Sequence, residues 1–500
     1  MPELANIVTT VYNYSYILSI GNLLNMKICI AGGGTAGWIA AYFLLNDHPG
    51  DHEIVVIESS QLGIIGAGEG STGTMIELLN GTYFNKKVDL DDFLKKTGGT
   101  RKQGIFHNNW TGDGAGYFAP IDQSPTWHNF EDTFFKFALG YLGKEKVHLS
   151  SSIGIEYDYN LDKQPNAIHF DGHEVGKYFK NDCIETYNTT VIDAVIKDAN
   201  LNSAGNISSV LLDNGETVEA DFFVDCSGFA RILSKKVGMK WKSYTDYLPM
   251  DSAIPFVLEY EEGETPNTYT SANALSSGWM WEIPLQSRKG CGYVYDSNFL
   301  TKDQAIEEVQ NFVGKPITPI KHINFEAGCS DAFWKKNVLA LGLSSAFVEP
   351  LEATSIHSTI IQLIIFSKEF LFKDFKNTDL QSSKDVYNEK ISLLYDNIRD
   401  FISFHYQGGR DDSEFWRWIK NEKIVSPRAN HFYEKSKLQI PGFLEINGII
   451  GTPNIALWNW ISAGLGVIDP QQAKQELEAK YNIQDVGASF NNFLQYNLNN

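Results

Sequence analysis

A glycine-rich segment, residues 32–37 (GGGTAG), has the GxGxxG spacing that binds dinucleotides. Gly32 would permit the tight turn, Gly34 would let the backbone approach a pyrophosphate, and Gly37 would let a helix pack closely on a strand. The free N–H groups and the dipole at the helix N-terminus attract the anion. The segment follows an apolar strand and opens an apolar helix, which favours nucleotide binding over a purely structural turn.

One carboxylate is spaced to meet the sugar of such a ligand. Glu58 ends the next apolar stretch, 24 residues after Gly34, and could accept hydrogen bonds from an adenosine ribose. A single dinucleotide is expected, so reducing equivalents would come from another source.

Two tryptophans share the short segment 279–284 (WMWEIP), which has the pattern WxWxIP. Residues i and i+2 of a strand point to the same face, so Trp279 and Trp281 would lie on one side of a sheet. By spacing alone, an aromatic pair in the core is the ordinary explanation.

Together, GxGxxG and WxWxIP resemble the signatures of the flavin-dependent halogenases of the tryptophan-halogenase family. The resemblance runs from Met26 to about Pro470 and implies an enzyme, which we expect to be a viral or marine member with broad aromatic substrates. Further segments are similar to family motifs: 66–71 (GAGEGS), 225–228 (DCSG), 342–356 (GLSSAFVEPLEATSI), 399–401, 405–406, 410–412 and 463–466.

The resemblance implies two catalytic residues. Lys102 stands eight residues before Trp110, as the family's catalytic lysine stands before a tryptophan, and Glu352 falls on the family's catalytic glutamate. Burial would lower the pKa of Lys102, so its amine could be halogenated or, as ammonium, could polarise hypohalous acid. Glu352 would position that oxidant or accept the ring proton as a general base.

Neighbouring residues compete for these roles. Arg101, Lys95 and Lys96 are the other candidates for the catalytic cation, and a solvated surface position is the usual fate of a lysine. Glu349 lies close to Glu352 in the sequence and is expected to be structural.

The resemblance also implies FAD, reduced by a separate flavin reductase, with a halide ion and no metal. The halide site is expected at Thr354 and Ser355, where Ser355 replaces a family glycine and leaves chloride, bromide and iodide open. Trp279 and Trp281 would keep the flavin site from acting as an ordinary monooxygenase. The expected cofactor-binding residues are Gly32, Gly34, Thr35, Ala36, Gly37, Glu58, Gly68, Glu69 and Gly342.

The sequence leaves the aromatic substrate open. Tryptophan-specific members of the family carry Tyr-Tyr-Glu and Phe-Trp elements near the C-terminus, whereas this chain has FYE at 432–434 and WNW at 458–460. A small indole, phenol or aniline is therefore favoured over a free amino acid. A flavin-dependent aromatic hydroxylase, which would not need Lys102, is the alternative, and a non-catalytic flavin sensor is a third hypothesis.

No motif predicts a metal site or another catalytic class. His169, Asp171 and His173 form HxDxH, which is more often hydrogen-bonded structure than a set of ligands. Neither HExxH nor GxSxG occurs. The five cysteines are widely spaced without a CxxC pair, and so predict neither disulfides nor a metal site.

These residues need a scaffold of alternating strands and helices. Residues 27–31 and 53–58 are predicted as strands around a helix at 38–45, which makes a βαβ unit. The predicted fold is α/β, with a Rossmann-like GxGxxG body of the FAD-binding monooxygenase type, an inserted β-sheet and a mainly helical C-terminal part. Further strands are expected at 189–199, 210–212, 216–218, 221–225 and 293–295, and helices at 92–97, 175–180, 358–372 and beyond 385.

Three regions are expected along the chain. Residues 26–380 would form the FAD-binding and catalytic body, and residues 381–500 a helical subdomain on the substrate side. Residues 1–25 are predicted to be an extension upstream of a native start at Met26, because strand-like sequence begins directly after it. That stretch lacks the basic residues of a secretory signal, and its apolar run is too short to span a membrane.

The charge of the chain disfavours two classes of partner. Its 61 acidic and 41 basic residues give a net charge of −20, so nucleic acids and anionic membranes are not expected to bind. The chain has 500 residues, which is long enough to bury a sizeable core. Its 43% hydrophobic and 20% charged residues are typical of a globular protein. The acidic composition and sparse cysteines predict a cytoplasmic protein, whose oligomeric state the sequence does not define.

Overall fold

A computed structural model describes residues 26–47, 52–63, 68–121, 131–143, 167–370, 380–442, 445 and 451–499. The expected N-terminal extension, residues 1–25, lies outside the described residues. Within the described part, the expected α/β architecture is confirmed.

The described elements alternate between short strands and helices. The strands are β1 (Met26–Ala31), β2 (His52–Glu58), β3 (Glu69–Gly70), β4 (Thr100–Lys102), β5 (Gly104–Asn108), β6 (Gly116–Pro120), β7 (Ala167–Phe170), β8 (Thr190–Asp193), β9 (Ile196–Leu201), β10 (Ile207–Leu212), β11 (Thr217–Glu219), β12 (Phe222–Asp225), β13 (Trp241–Ser243), β14 (Ser252–Leu258), β15 (Tyr269–Leu275), β16 (Gly278–Pro284), β17 (Lys289–Tyr295), β18 (Ile323–Asn324), β19 (Gly328–Ser330), β20 (Trp334–Lys335), β21 (Val338–Ala340) and β22 (Ala346–Phe347). The helices are α1 (Thr35–Asp47), α2 (Gly73–Leu79), α3 (Leu90–Thr97), α4 (Glu131–Phe137), α5 (Gly172–Tyr187), α6 (Ile232–Lys236), α7 (Lys302–Val313), α8 (Thr354–Phe370), α9 (Gln381–Phe404), α10 (Glu414–Asn421), α11 (Pro427–Ser436), α12 (Ile455–Gly464), α13 (Pro470–Glu478) and α14 (Ile483–Asn499).

A six-stranded sheet forms the nucleotide-binding body. Its order is β20-β21-β12-β1-β2-β8, and all its pairs are parallel except β20 with β21. The central strand β1 is a continuous apolar run because helices cover the sheet; Ile28, Cys29 and Ile30 are fully buried. Helix α1 packs against α5 and α8. The loop between the carboxyl end of β1 and the start of α1 therefore lies at one end of the parallel strands.

A seven-stranded sheet supplies the inserted β-structure, in the order β18-β14-β17-β16-β15-β5-β6. Strand β5 runs parallel to β15, and the other neighbours are antiparallel. A third, small sheet pairs β3 and β4 with opposite edges of β7. This small sheet brings the segment around Gly70 beside Lys102.

Several predicted elements have other bounds in the structure; the helix expected at 175–180, for example, is Gly172–Tyr187. Residues 189–199 were expected to alternate as one strand, but β8 ends at Asp193 and β9 begins at Ile196, because the two strands belong to different sheets. The helix expected at 358–372 begins earlier, at Thr354, and its described part ends at Phe370. The strands expected at 210–212 and 216–218 are β10 and β11, which form a hairpin that turns at Asn214-Gly215, a pair typical of tight hairpin turns.

The described elements beyond Gln381 are helices and short helical turns, in line with the expected helical C-terminal part. Among the described helices, none combines the length and the apolar character that crossing a membrane requires.

Candidate active site

Backbone contacts in the loop after β1 leave no room for a side chain at Gly32 or Gly37. Gly32 has a φ of +118°, and a Cβ there would lie 2.2 Å from the carbonyl oxygen of Cys226. A Cβ on Gly37 would lie 2.0 Å from the carbonyl oxygen of Gly32. A Cβ on Gly34 would meet no atom within 4 Å, so the loop is open on that side. Because α1 begins at Thr35, its unpaired N–H groups lie beside this opening.

Gly342, a second predicted cofactor residue, contacts the same helix start. It follows β21 with a φ of +57°, and a Cβ there would lie 2.7 Å from the Cβ of Ala36. On the other flank of α1, the Thr35 hydroxyl donates to the carbonyl of Gly172 at 3.0 Å. Small residues thus surround a helix N-terminus that is open toward Gly34, a cradle that fits the pyrophosphate of a dinucleotide.

Glu58 lies at the edge of this loop, at the end of β2. Its carboxylate accepts a hydrogen bond from Trp38 Nε1 at 3.0 Å and forms an ion pair with Lys180. A Cβ on Gly33 would lie 2.2 Å from Glu58 Oε2, so the carboxylate is packed directly over the loop. The two partners fix Glu58 where a ribose hydroxyl would be needed.

Glu69 approaches the same helix start from the small sheet, and Gly68 before it lies against Ile283 and Gly290 of the seven-stranded sheet. Gly68 has a φ of +80°, a conformation that favours glycine. A Cβ on Gly172 would lie 2.0 Å from Glu69 Oε1 and 3.1 Å from Thr35 Oγ1, so the carboxyl group is near the start of α1. Burial raises the pKa of Glu69 to about 7, and the charge of Asp171 adds to this effect. Glu69 therefore titrates in the neutral range.

The GxGxxG spacing recurs at Gly68, Gly70 and Gly73, but in a different setting. Here it follows only the two-residue strand β3 rather than a long parallel strand. A Cβ on Gly70 would lie 2.9 Å from Lys102 Nζ and 3.4 Å from the Cβ of Ala353. The missing side chain at Gly70 makes space for the lysine amine.

Lys102 ends β4 with its side chain directed inward, and it is 0% exposed. Its Nζ donates a hydrogen bond to the carbonyl oxygen of Ser71 at 3.1 Å. Burial lowers the pKa of Lys102 to about 8, while the charge of Glu352 opposes the change. Both the ammonium and the neutral amine form of Lys102 are therefore populated near neutral pH.

Glu352 lies between two buried histidines. Its Oε1 is 2.8 Å from His405 Nε2 and 3.4 Å from His107 Nε2. Burial alone would raise the pKa of Glu352, but the hydrogen bonds and charges of the two histidines outweigh it and lower the pKa to about 2. The carboxylate is thus ionised throughout the physiological pH range.

The two histidines belong to separate elements and meet only in the folded chain. His107 lies on β5 and stacks on Tyr117, with ring centroids 4.8 Å apart and planes 8° from parallel. His405 follows α9, and its ring centroid is 5.2 Å from that of His107. Neither histidine was predicted to have a role, although His107 precedes Trp110 and His405 belongs to a family-like segment. The sequence shows no motif that links the two histidines to Glu352, because the three residues come from three distant segments.

Glu349 is separate from this cluster. It accepts a hydrogen bond from the Tyr406 hydroxyl at 2.5 Å and another from the Met250 N–H at 3.3 Å. Burial raises the pKa of Glu349 to about 7, and these hydrogen bonds only partly oppose the change. These contacts fit the structural role expected for Glu349.

The competing cations lie in more exposed positions than Lys102. Arg101 pairs with Asp91 at 2.8 Å, and Lys96 pairs with Asp92 at 2.8 Å on α3. Lys95 is exposed on the same helix.

The expected halide residues begin α8. Thr354 is buried, and its Oγ1 has no hydrogen-bond partner among the described residues, whereas Ser355 is exposed. Ser355 is helical and needs no unusual backbone conformation. The constrained residue is Ala353, which has a φ of +54°. The positive φ of this segment therefore lies two residues before Ser355.

The tryptophan pair lies on β16, in the seven-stranded sheet. The ring centroids of Trp279 and Trp281 are 6.3 Å apart, and Trp279 is buried. A Cβ on Gly292 of the neighbouring strand would lie 2.1 Å from the Trp281 ring, so that glycine makes room for the indole.

Histidines and carboxylates were examined as metal ligands. In the HxDxH segment, His169 hydrogen-bonds to Thr100 and Thr270, and Asp171 caps α5 and pairs with Arg288 at 2.7 Å. These contacts fit hydrogen-bonded structure. The ligand atoms of His107, Glu352 and His405 do lie within 4.8 Å of one another, a grouping that the sequence analysis did not foresee.

Comparisons with known proteins show which family the chain belongs to. The family model described as tryptophan halogenase matches residues 27–439. The 7-chloro-L-tryptophan 6-halogenase KtzR of Kutzneria sp. is 31% identical over 455 residues, which cover 82% of this chain and 85% of that protein. The tryptophan 7-halogenase RebH of Lentzea aerocolonigenes is 30% identical, with 80% and 79% covered. BrvH, a flavin-dependent halogenase from Brevundimonas sp. BAL3, is similar in structure with a TM-score of 0.80 and 28% identity, over 95% of this chain and 97% of that one.

The family match covers most of the chain, and the solved structures extend over both the nucleotide-binding body and the helical part. The glycine loop, the WxWxIP strand and the buried lysine lie within the matched region. The chain therefore belongs to the tryptophan halogenase family, and it is a flavin-dependent halogenase.

Proposed function

We propose that this halogenase uses Lys102 to bind and activate hypohalous acid, which transfers its halogen to an electron-rich aromatic molecule, with Glu352 assisting beside it. The observation that carries the proposal is the burial of Lys102 next to Gly70, within electrostatic range of Glu352. A lysine that only served solubility would lie on the surface.

FAD would be held by the loop from Gly32 to Gly37, with Glu58 at its ribose, Glu69 and Gly342 around the start of α1, and Gly68 next to Glu69. Reduced by a separate flavin reductase, FAD supplies hypohalous acid from O2 and halide when it is bound. The halide would bind near Thr354 and Ser355. Trp279 and Trp281 lie on β16 of the seven-stranded sheet. They would keep the flavin from hydroxylating the substrate directly, as an ordinary monooxygenase does.

Lys102 would act in its ammonium form at neutral pH. Its Nζ is anchored by the Ser71 carbonyl and has further N–H groups to donate to the oxidant. Such a hydrogen bond polarises the oxygen–halogen bond, and burial strengthens it because water is excluded. With a pKa of about 8, the ammonium form is lost as the pH rises through 8. We therefore expect halogenation to fall above that pH.

Glu352 would serve the aromatic ring. Attack by the electrophile leaves a positive charge on the ring and a proton that must depart. The ionised carboxylate stabilises that charge and accepts the proton. A pKa of about 2 makes Glu352 a weak base. A weak base is sufficient, because the positively charged ring formed by electrophilic attack loses its proton readily.

The substrate we propose is a small indole or phenol. The curated relatives KtzR and RebH are named for halogenating tryptophan or a chlorinated tryptophan, so an indole ring is the chemistry they share. In this chain, Trp458 and Trp460 are 1% and 2% exposed. Trp458 packs on Phe401 and Phe404, which leaves it no free face to clamp an amino acid. The proposed location is the cytoplasm, where a flavin reductase could supply reduced FAD.

The experiment is a product analysis with purified protein, FAD, a flavin reductase and NADH. A panel of indoles, phenols, anilines and free tryptophan is incubated with chloride, bromide or iodide and analysed by mass spectrometry. We expect halide-dependent halogenated products from small indoles or phenols, unchanged by prior treatment with a chelator. Hydroxylated products that form without halide would instead support the alternative hydroxylase, and products from free tryptophan alone would contradict the proposed substrate class.

A further inference from the structure

The first turn of α8 carries a histidine, His357, whose two ring nitrogens contact different parts of the chain. Its Nδ1 lies 2.9 Å from the Thr72 hydroxyl and 3.1 Å from the Thr74 hydroxyl. Its Nε2 lies 2.6 Å from the backbone carbonyl oxygen of Gly451. A carbonyl oxygen only accepts, so Nε2 donates this hydrogen bond. The imidazole therefore joins the start of α8 to the segment after β3 and to the chain before α12.

Thr72 stands at a helix start but does not act as an ordinary cap. It is the N-cap residue of α2, and a threonine there usually accepts a hydrogen bond from an N–H two or three residues later. The Thr72 side chain makes no such bond. Its hydroxyl contacts the Thr74 hydroxyl at 2.9 Å and the His357 ring, which is 285 positions away in the sequence. The hydroxyl therefore serves a tertiary contact in place of a local one.

The His357 ring is held from both sides. Threonine hydroxyls can donate or accept, so the contact with Nδ1 forms whether the ring is neutral or charged. On the other side, Gly451 has a φ of +86°, and a Cβ there would lie 2.6 Å from the Ile361 side chain and 3.2 Å from His357 Nε2. The absence of a side chain at Gly451 lets its carbonyl approach the ring. The two threonines are thus tied to a ring that is itself fixed on α8.

Thr72 directly follows the residue that anchors the catalytic lysine. Lys102 Nζ donates to the Ser71 carbonyl oxygen at 3.1 Å, and this carbonyl belongs to the peptide group between Ser71 and Thr72. On the Ser71 side, the N–H donates to the Ile168 carbonyl at 2.8 Å, and the hydroxyl accepts from the Ile168 N–H at 3.0 Å. On the Thr72 side, the side chain is tied to His357. Because a peptide group is planar, both ends decide where its carbonyl points.

The segment before α8 carries the carboxylate that faces Lys102. Glu352 lies two residues before the start of α8, and Ala353 follows it. A Cβ on Gly70 would lie 3.4 Å from the Cβ of Ala353, so the two segments approach each other beside the amine as well as at His357. The helices that continue these segments, α2 and α8, also pack together. These contacts set the distance between the anchor of Lys102 and Glu352.

We propose that His357 is a positioning residue that orients the Ser71 carbonyl through Thr72 and Thr74 and thereby aligns the Lys102 amine with the oxidant. His357 acts through this carbonyl, and Lys102 remains the group that meets the oxidant. The inference rests on the proposed role of Lys102. It adds that the alignment of the amine depends on a contact between α8 and the segment after β3.

The test separates the two halves of the imidazole with two substitutions. In His357→Asn, the amide lies near the position of Nδ1 and can still contact the threonine hydroxyls, but it does not reach Gly451. In His357→Gln, the longer side chain carries its amide to the position of Nε2, where it can still donate to Gly451, but the contact with the threonines is lost. Alignment of Lys102 through the threonines predicts a defect in His357→Gln alone.

The measurement follows the oxidant in the presence of FAD, a flavin reductase, bromide, a small indole and a diffusible molecule that captures free hypohalous acid. In His357→Gln, kcat for halogenation should fall about five- to 20-fold because the displaced amine misaligns the oxidant, and the captured share of the oxidant should rise. KM for the indole and FAD affinity should stay within about twofold. His357→Asn should resemble the unaltered enzyme. A variant that only lost stability would lower O2 consumption and product together and leave the captured share unchanged.

A second variant removes the same contact from the other side and does not depend on the folding of His357→Gln. Thr72→Val combined with Thr74→Val deletes both hydroxyls with little change in shape, and it should raise the captured share as His357→Gln does. The matched control is Thr189→Val, which deletes a buried hydroxyl that donates to the Cys183 carbonyl at 2.9 Å. The control should leave the captured share unchanged.

An unchanged captured share in the double threonine variant, whether or not His357→Gln folds, would overturn the inference, and so would equal defects in His357→Asn and His357→Gln. A failure of the proposed function has a different signature. If Lys102→Met halogenates the indole at the unaltered rate with little capture, the proposed role of Lys102 fails. If Lys102→Met releases the oxidant for capture and the double threonine variant does not, only the positioning inference fails.

Discussion

The nucleotide loop and the Glu352 cluster are built in opposite ways. The loop from Gly32 to Gly37 is made of neighbours in the sequence, and its shape is fixed by glycines that contact backbone atoms. The cluster joins His107, Glu352 and His405 from three distant segments, and its properties arise from burial and charge. One site is specified by local sterics and the other by tertiary electrostatics.

This difference predicts how each site fails. A change in the loop should remove the cofactor and leave the buried charges as they are. A change in the cluster should leave cofactor binding intact and stop transfer of the halogen to the aromatic. Variants that fail in the opposite way would break the comparison.

The largest effect in the cluster is expected for Glu352→Gln. Removing the carboxylate removes the group that stabilises the ring charge and accepts its proton, so product formation should fall by about 10²- to 10³-fold. FAD affinity, measured by titrating flavin fluorescence, should stay within twofold. A variant that halogenates normally, or that loses FAD, would contradict the assignment.

In the loop, Gly37→Ala should weaken FAD binding. Its Cβ would lie 2.0 Å from the carbonyl oxygen of Gly32, and this overpacking of backbone costs about 1–3 kcal/mol, or roughly five- to 150-fold in affinity. The matched control is Gly442→Ala, outside the loop, whose Cβ would meet no protein atom within 4 Å. Gly34→Ala, whose Cβ also meets no protein atom, tests the open side of the loop where the pyrophosphate would lie. If Gly34→Ala loses FAD affinity and Gly37→Ala does not, the glycines are needed for close approach to the ligand rather than for helix packing.

A smaller effect is expected where the two regions meet, at Gly70→Ala. The added methyl group would lie 2.9 Å from Lys102 Nζ, and the flexible amine can move away by a few tenths of an ångström. We expect a loss of about three- to tenfold in kcat, with unchanged FAD affinity. Measured halogenation with bromide and iodide would show whether the lost space acts on the larger halide, and an unchanged kcat would mean that the amine is not held where the structure has it.

The smallest effect concerns pH and FAD binding. Glu69 has a pKa raised to about 7 by burial and lies beside the start of α1. Below pH 7 the carboxyl group is neutral, whereas above it the negative charge repels the pyrophosphate. FAD should therefore bind about two- to fivefold more weakly at pH 8 than at pH 6, and Glu69→Gln should remove this dependence. Equal pH dependence in both proteins would assign it to another group.

Sequence reasoning succeeded where the determinants are local. The strand before Gly32, the glycine loop and the hairpin turn at Asn214-Gly215 were predictable because neighbouring residues decide their conformation. It failed at 189–199, because the break between β8 and β9 is a change of sheet that the alternation of residues does not record.

The candidate site was predictable only in part, for the same reason. Lys102 and Glu352 were assigned through resemblance to family motifs, and their chemical roles are still predictions. His107 and His405 were not assigned because their partner is distant in the sequence. Their importance depends on which nitrogen faces which oxygen, which only the folded chain defines.

The central claim, that Lys102 controls the oxidant, is tested most directly by measuring where the oxidant goes. Lys102→Met is incubated with FAD, a flavin reductase, bromide and a small indole, together with a diffusible molecule that captures free hypohalous acid. The account predicts that the variant still consumes O2 and that the captured oxidant replaces the halogenated indole, whereas the unaltered enzyme and Lys95→Met give halogenated indole with little capture. Halogenated indole at the unaltered rate from Lys102→Met, undiminished by the capturing molecule, would contradict it.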